Sequence, residues 1–172
     1  MAVTIDQIRN LGDFLPVYKW DVQISKVPNG VTIDSNALNF RMLTSEIPKM
    51  TGQSIEINIK GHKVKQPGIY NYSNTLNMTF AETVDATILD FIKQWRELCW
   101  ETKTGKQKKS EDVKAEFLMF LLNRQDEAVW KFRLIGCYLE DYDLGSLDGS
   151  SSDIVRPSIT ISYDYFEDEK VA

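Results

Sequence analysis

One amphipathic helix stands alone between two blocks of strand-like sequence. Residues 85–100 read DATILDFIKQWRELCW, and Ile88, Phe91, Ile92, Trp95 and Cys99 recur at steps of three and four, which puts them on one face of an α-helix. Such a stripe has no second helix to pack on, so the helix must lie against a sheet. Asp85 is expected to cap its first turn, because a carboxylate there accepts an orphan backbone N–H and suits the positive end of the helix dipole. The helix stops in a basic loop, residues 101–112, which carries Lys103, Lys106, Lys108 and Lys109.

The flanking blocks alternate with period two. Residues 18–27 place Trp20, Val22 and Ile24 on one face, and the tight-turn signal Pro28-Asn29-Gly30 predicts an antiparallel return over residues 31–33. Residues 39–45 read as a further strand, ended by Glu46-Ile47-Pro48-Lys49. Residues 53–60 set Ile55, Ile57 and Ile59 against Glu56, Asn58 and Lys60, and a polar connection follows over residues 61–68. Residues 75–80 set Leu76, Met78 and Phe80 against Asn77 and Thr79. After the helix, residues 113–122 and 129–139 form a hairpin with Trp130, Phe132 and Leu134 opposite Lys131 and Arg133. An acidic loop spans residues 140–153, and residues 158–166 close the chain as a strand with Ile159, Ile161, Tyr163 and Tyr165 on one face. Six or seven strands and one helix predict a mostly-β (α+β) sandwich or barrel with one wet face.

A chain of 172 residues with 42% hydrophobic content suffices for one domain, residues 1–172, with residues 1–16 as an N-terminal arm. Its net charge of −5 argues against a protein that grips nucleic acid through phosphates, though not against one that lets it pass. No apolar run is long enough to span a membrane and the N-terminus shows no signal-peptide core, so the chain is expected to stay in the cytoplasm or to leave without the usual export signal. Cys99 and Cys137 read as small core hydrophobes; a disulfide between them is disfavoured in a reducing compartment, and no metal site is expected. His62 is the single histidine. The usual triads and phosphate-binding loops lack their parts, so neither catalysis nor a cofactor is expected. Asp141, Asp143, Asp148 and Asp153 suggest a calcium loop, but Gly145 and Ser146 stand where an oxygen ligand and the glycine belong. That leaves a solvated or partner-facing loop; the lysine loop likewise is either solvated or faces an acidic partner.

The order of these parts resembles the tail tube proteins of contractile-tailed phages. The resemblance rests on Phe40 with the Ile47-Pro48 break, QSIEINIKGHKVKQPG, TLNMTF followed by the helix with Trp95, LIGCYLEDYDLG and the closing SITISYDYF, and covers residues 20–166. It implies two packed antiparallel sheets, or a barrel-like sandwich, with a flanking helix and a sheet continued across subunits. It further implies a non-enzymatic subunit of stacked hexameric rings that form the channel for genome ejection, with the long hairpin and the arm making contacts between rings. The implied partners are further copies of itself, a sheath, a tape-measure protein, and baseplate and tail-terminator proteins, with DNA passing non-specifically. The implied location is a virion tail assembled in the host cytoplasm. Tube proteins of type VI secretion and extracellular injection systems are similar and stand as the alternative; a small β-barrel ligand-binding protein is a second. On the tube reading Glu56, Asn58, Lys60, Asn77 and Thr79 face either the lumen or outer solvent, and Lys93, Arg96 and Glu97 are available to neighbouring subunits or sheath. Arg96→Glu is expected to spare the fold and weaken assembly.

Overall fold

The computed structural model describes residues 3–171, so Met1 and Ala2 of the arm and Ala172 at the other terminus lie outside the described residues. In chain order come α1 (Ile5–Arg9), β1 (Trp20–Lys26), α2 (Ser35–Arg41), β2 (Met42–Ser45), β3 (Met50–Ile59), β4 (His62–Tyr72) and β5 (Thr75–Phe80). Then follow α3 (Thr87–Cys99), α4 (Ser110–Val113), β6 (Ala115–Leu122), β7 (Ala128–Asp143), β8 (Ser158–Ser162) and β9 (Tyr165–Lys170). All strand pairs are antiparallel. Seven strands share one sheet in the order β1-β6-β7-β8-β5-β2 with β9 also on β7, while β3 and β4 form a separate two-stranded sheet. The fold is therefore mostly β in two antiparallel sheets, with α3 as the one long helix.

The long strand β7 belongs to two limbs of the large sheet. Its first half pairs with β6 and β9, and its second half pairs with β8. Between them sits Gly136 at φ +71, where an added Cβ would lie 2.0 Å from Asp164 Oδ2. The Asp164 N–H donates to the Ile135 carbonyl at 3.0 Å, and the carboxylate pairs with Lys114 Nζ at 2.5 Å. Residues 158–166, expected as one strand, are thereby broken at Tyr163-Asp164 into β8 on one limb and β9 on the other. Tyr163 is fully buried at this break, its hydroxyl 2.8 Å from Ser73 Oγ and its N–H on the Asn74 carbonyl at 2.9 Å.

The inner faces of the limbs meet in one core. Val22, Phe117 and Leu134 come from the limb β1-β6-β7-β9, and Leu76, Met78, Ile159 and Ile161 from the limb β7-β8-β5-β2. Helix α3 adds Ile88, Phe91, Ile92, Trp95 and Leu98. The Trp95 ring lies 5.6 Å from Phe91 and 6.1 Å from Phe117, and its indole N–H donates to the Val113 carbonyl at 2.9 Å, so the buried ring carries no orphan polar atom. Side chains fill the space between limbs and the sheet does not close on itself. That geometry removes the closed apolar barrel which a small ligand-binding protein would use.

Several local expectations fail for identifiable reasons. Asp85 does not cap α3: Ala86 turns left-handed at φ 54, and Glu82 instead accepts from Ile88 N (3.4 Å) and Leu89 N (2.7 Å). Asp85 accepts from Thr87 Oγ1 at 2.7 Å and pairs with Arg41 at 3.1 Å. Leu98, not Cys99, continues the buried stripe; Cys99 is half-buried at its margin. Residues 31–33 do not return as a strand, because Asp34 caps Asn36 N and Ala37 N and starts α2. Helix α2 also takes the first three residues of the strand expected over residues 39–45. The expected polar connection at residues 61–68 is strand β4, joined to β3 through Lys60 and Gly61 at φ 48 and φ 85, the positive angles of a two-residue hairpin turn. Residues 140–143 belong to β7 rather than to the acidic loop, and α4 lies at the end of the basic loop.

The corner at Gly136 is testable by a single methyl group. Gly136→Ala is expected to lose about 3 kcal/mol in urea unfolding, since it imposes both a strained φ and a clash with a hydrogen-bonded carboxylate. Gly149→Ala, where an added Cβ meets nothing within 4 Å, is the matched control.

Candidate assembly surfaces

The outward face of the limb β7-β8-β5-β2 is built from hydroxyls and amides. Thr75 lies opposite Ser162, Asn77 opposite Thr160 and Thr79 opposite Ser158, while Leu76, Met78, Ile159 and Ile161 between them point into the core. Thr160 Oγ1 donates to Asn77 Oδ1 at 2.6 Å, and Glu46 Oε2 accepts from Asn77 N and Nδ2, each at 3.1 Å. Residues 42–45, 75–80, 138–143 and 158–162 contain no lysine or arginine, and their only charges are Glu140, Asp141 and Asp143. The other limb is different: Arg133 reaches Glu116 at 2.9 Å and Glu167 at 3.8 Å, and Lys131 pairs with Glu169, so its charges satisfy one another across strands.

The two outer edges of the large sheet are also unlike. On β1, Asn39 Oδ1 and Ser35 Oγ of α2 accept from Val22 N (2.9 Å) and Ile24 N (3.1 Å), which closes that edge to another strand. Strand β2 at the opposite edge pairs with β5 alone.

The arm and the β3–β4 hairpin bury little in their own protomer. Val3, Ile5, Ile8, Leu11, Phe14 and Leu15 of the arm are exposed although Thr4 closes a capping box on α1. On the hairpin, Ile55 and Ile59 are more than half exposed, so the alternation that predicted a core strand marks an apolar face without a core beneath it. Glu56 and Asn58 lie on its opposite face, where Lys63 (2.5 Å) and Lys65 (2.9 Å) hold the Glu56 carboxylate below its usual pKa. Lys60 is in the turn and His62 begins β4, exposed. The five residues expected on one surface are thus divided, Asn77 and Thr79 on the large sheet and Glu56, Asn58 and Lys60 on the hairpin.

On α3, only Lys93 of the three expected contact residues is fully exposed. Arg96 donates to the Tyr142 hydroxyl at 3.2 Å, lies 5.7 Å over its ring and pairs with Glu97 at 2.6 Å. Glu97 accepts from both Thr102 N (3.1 Å) and the Thr102 hydroxyl. The hydrogen bonds from Thr102, with Arg96 beside them, pull the Glu97 carboxyl down to about 2. These two side chains clamp the helix to β7 and to the start of the basic loop. The four aspartates of the acidic loop are dispersed: Asp143 accepts from Gly145 N at 2.8 Å, Asp148 from Ser150 N at 2.9 Å, and Asp153 pairs with Arg156 at 2.7 Å. Among the described residues no three potential metal-binding groups gather, and burial pushes the Cys137 thiol up to about 12.

Neither a protein-family model nor a characterised protein sequence matches the chain. Solved structures do. A chain of the anti-feeding prophage cap superposes with a TM-score of 0.67 at 14% identity, covering 93% of this chain and 93% of that one. A chain of an extracellular contractile injection system, the PVC sheath–tube complex in its extended state, gives 0.65 at 17% identity over 99% of this chain and 100% of the other. A type six secretion system protein gives 0.53 at 13% identity over 88% and 83%. The chain has the fold of contractile-system tube proteins.

In this tube-protein fold the sequence pointed to the polar strands but not to the clamp, because Arg96 and Tyr142 are far apart in the chain and carry no shared motif. The clamp alters one expectation. Arg96→Glu in the tube-fold protomer would set a second carboxylate beside Glu97 and release Tyr142, so it is expected to lower stability by about 1–2 kcal/mol rather than to spare the fold. The Glu97 pKa is depressed, so its contribution is complete above its ordinary value of 4.5 and is lost as pH falls toward about 2. Acid titration of Glu97→Gln beside the wild type reads this directly: the stability difference present at pH 6 should vanish in that window.

Proposed function

We propose that this protein is a structural subunit, not an enzyme, of the tube of a contractile tail, assembling as stacked hexameric rings whose channel conducts a phage genome. The observation that carries the reading is an arm and a hairpin rich in exposed Ile, Leu and Phe that find no core in their own protomer. A two-stranded hairpin is marginal alone in water, so these segments are built to be covered by further copies. The shared fold with chains from sheath–tube and cap structures of injection systems supports the same role.

On this reading the limb β7-β8-β5-β2 lines the channel. Strand β2 offers an unpaired edge to the next protomer, and closing a sheet around a ring removes edges that would otherwise aggregate. Asn77 and Thr79, with Ser158 and Thr160, then face the lumen. A wall of hydroxyls and amides with carboxylates and no basic residue gives phosphates nothing to bind, which suits passage of DNA without retention. The hairpin with Glu56, Asn58 and Lys60 reaches from the end of this limb toward the adjacent ring, and Lys93 faces outward to neighbours or sheath. A tape-measure protein in the lumen, a sheath outside, and baseplate and terminator proteins at the ends complete the set of partners, in a tail assembled in the host cytoplasm.

A second reading, the tube of an extracellular injection or type VI secretion system, is favoured by the sources of the similar structures. Gene neighbours and particle imaging separate the two. Purified protein is expected to form rings or tubes by electron microscopy, and a reconstruction should show Asn77, Thr79 and Thr160 on the inner wall. A protein that stays monomeric at every concentration and salt, or a wall formed by the charged β9 face, would overturn the respective parts.

A further inference from the structure

The chain is electrically polarised along α3. Residues 93–109 carry six basic and two acidic side chains, in a protein of net charge −5. Lys93, Lys103, Lys106, Lys108 and Lys109 make no ion pair among the described residues, whereas most other cations of the fold do. Beside this loop runs a cleft of about 460 Å³ with an apolar floor of Trp100, Val113, Tyr138 and Leu139 and with Lys108 and Glu140 as the charged residues of its lining. Trp100 is 53% exposed there.

The opposite end of the helix has the complementary surface. Residues 143–153, from the last residue of β7 through the loop, hold Asp143, Asp148 and Asp153 and no basic side chain, while Glu140 lies back at the cleft. At the tip of that loop Leu147 is 91% exposed, between Asp143 and Asp148, with Ile154 exposed nearby. The loop is fixed at the N-terminal end of α3: Glu82, whose carboxylate caps the helix, donates its backbone N–H to the Val155 carbonyl at 3.0 Å. The lysine loop is fixed at the C-terminal end, where Glu101 N donates to Lys106 O at 2.9 Å. Thirteen helical residues, about 20 Å, separate the end that anchors the acidic loop from the end that anchors the lysine loop.

We propose that the cleft beside Trp100 receives the acidic loop of a second copy of this chain, with Leu147 on the apolar floor and Asp143 and Asp148 against Lys106 and Lys108. The contact is heterologous: it joins unlike ends of identical protomers, and repeated along one direction it stacks them head to tail instead of closing a pair. It rests on the tube reading only for its place, between successive rings, and adds to it an electrostatic lock that sets the polarity of stacking. An acidic segment of another protein seated in the cleft is the competing occupant.

The test is a charge swap followed by sedimentation and electron microscopy, with circular dichroism as the check on folding. Lys106→Glu with Lys108→Glu, and separately Asp143→Lys with Asp148→Lys, should each leave folded rings that need about tenfold or more protein to stack. Joining all four substitutions in one chain should restore stacking. Stacking unchanged in either pair, or not restored in the folded fourfold variant, overturns the proposal. A defect confined to the lysine pair also overturns it and assigns the cleft to another acidic partner. If the wild type forms no rings at all, the tube reading fails by itself; the loop pairing then stands only if low-salt self-association of the wild type is lost in both pairs and regained in the fourfold variant.

Discussion

The architecture turns on a corner that has no room for a β-carbon. At Gly136 the backbone of β7 takes a left-handed φ and the Asp164 side chain occupies the space where a Cβ would stand. Because β7 is paired on both sides, it cannot bend alone. The strand opposite must break at the same level, and does so at Tyr163-Asp164, between β8, which lies between β7 and β5, and β9, which pairs with β7 alone. Everything else depends on that double bend. It divides seven strands into two limbs whose inner faces can meet, and it makes one apolar interior that α3 completes with Trp95. It also leaves β2 at the end of a limb with an unpaired edge.

Much of this was legible in the sequence, and the limits are physical. Period-two alternation located β1, β5, β6, β7 and the β8–β9 segment, and the stripe from Ile88 to Trp95 located α3, because burial on one face imposes those periods directly. The corner was invisible for the same reason. SITISYDYF alternates without interruption in the sequence, whereas in the fold the inward set shifts from Ile159, Ile161 and Tyr163 to Phe166, and Tyr165 turns outward, with β8 and β9 both paired to β7. Alternation was also silent about ownership. Ile55, Ile57 and Ile59 mark an apolar face as clearly as Leu76, Met78 and Phe80 do, yet only the second set meets the protomer's own core. Strand β4 was missed because Lys63, Lys65, Gln66 and Pro67 carry no apolar period, and its pairing comes from the Lys60-Gly61 turn.

The candidate surfaces were legible as chemistry and illegible as geometry. Asn77 and Thr79 stand out as a polar face, and the sequence even shows that no cation shares their strands. What it could not show is the contrast with the other limb, where Arg133 and Lys131 are matched across strands by Glu116, Glu167 and Glu169. One limb carries a few carboxylates and no cation, and the other has its cations paired across strands. Arg96 and Glu97 were misjudged in the opposite sense. On a helical wheel they look free; in the fold they are committed to Tyr142 and Thr102.

The separation of charge along α3 has an intramolecular rationale that makes the intermolecular one possible. A helix carries partial positive charge at its first turn and partial negative charge at its last. The acidic loop sits at the first end and the lysines at the second, so each like-charged cluster is eased by the helix beside it. Concentrating charge of one sign at a loop is ordinarily unfavourable through self-repulsion. Here the dipole offsets part of that cost within the monomer. A protomer built in this way is directional, with a basic end and an acidic end fixed to one helix. Head-to-tail contact lets identical copies satisfy both ends at once, and an assembly so formed has one polarity throughout.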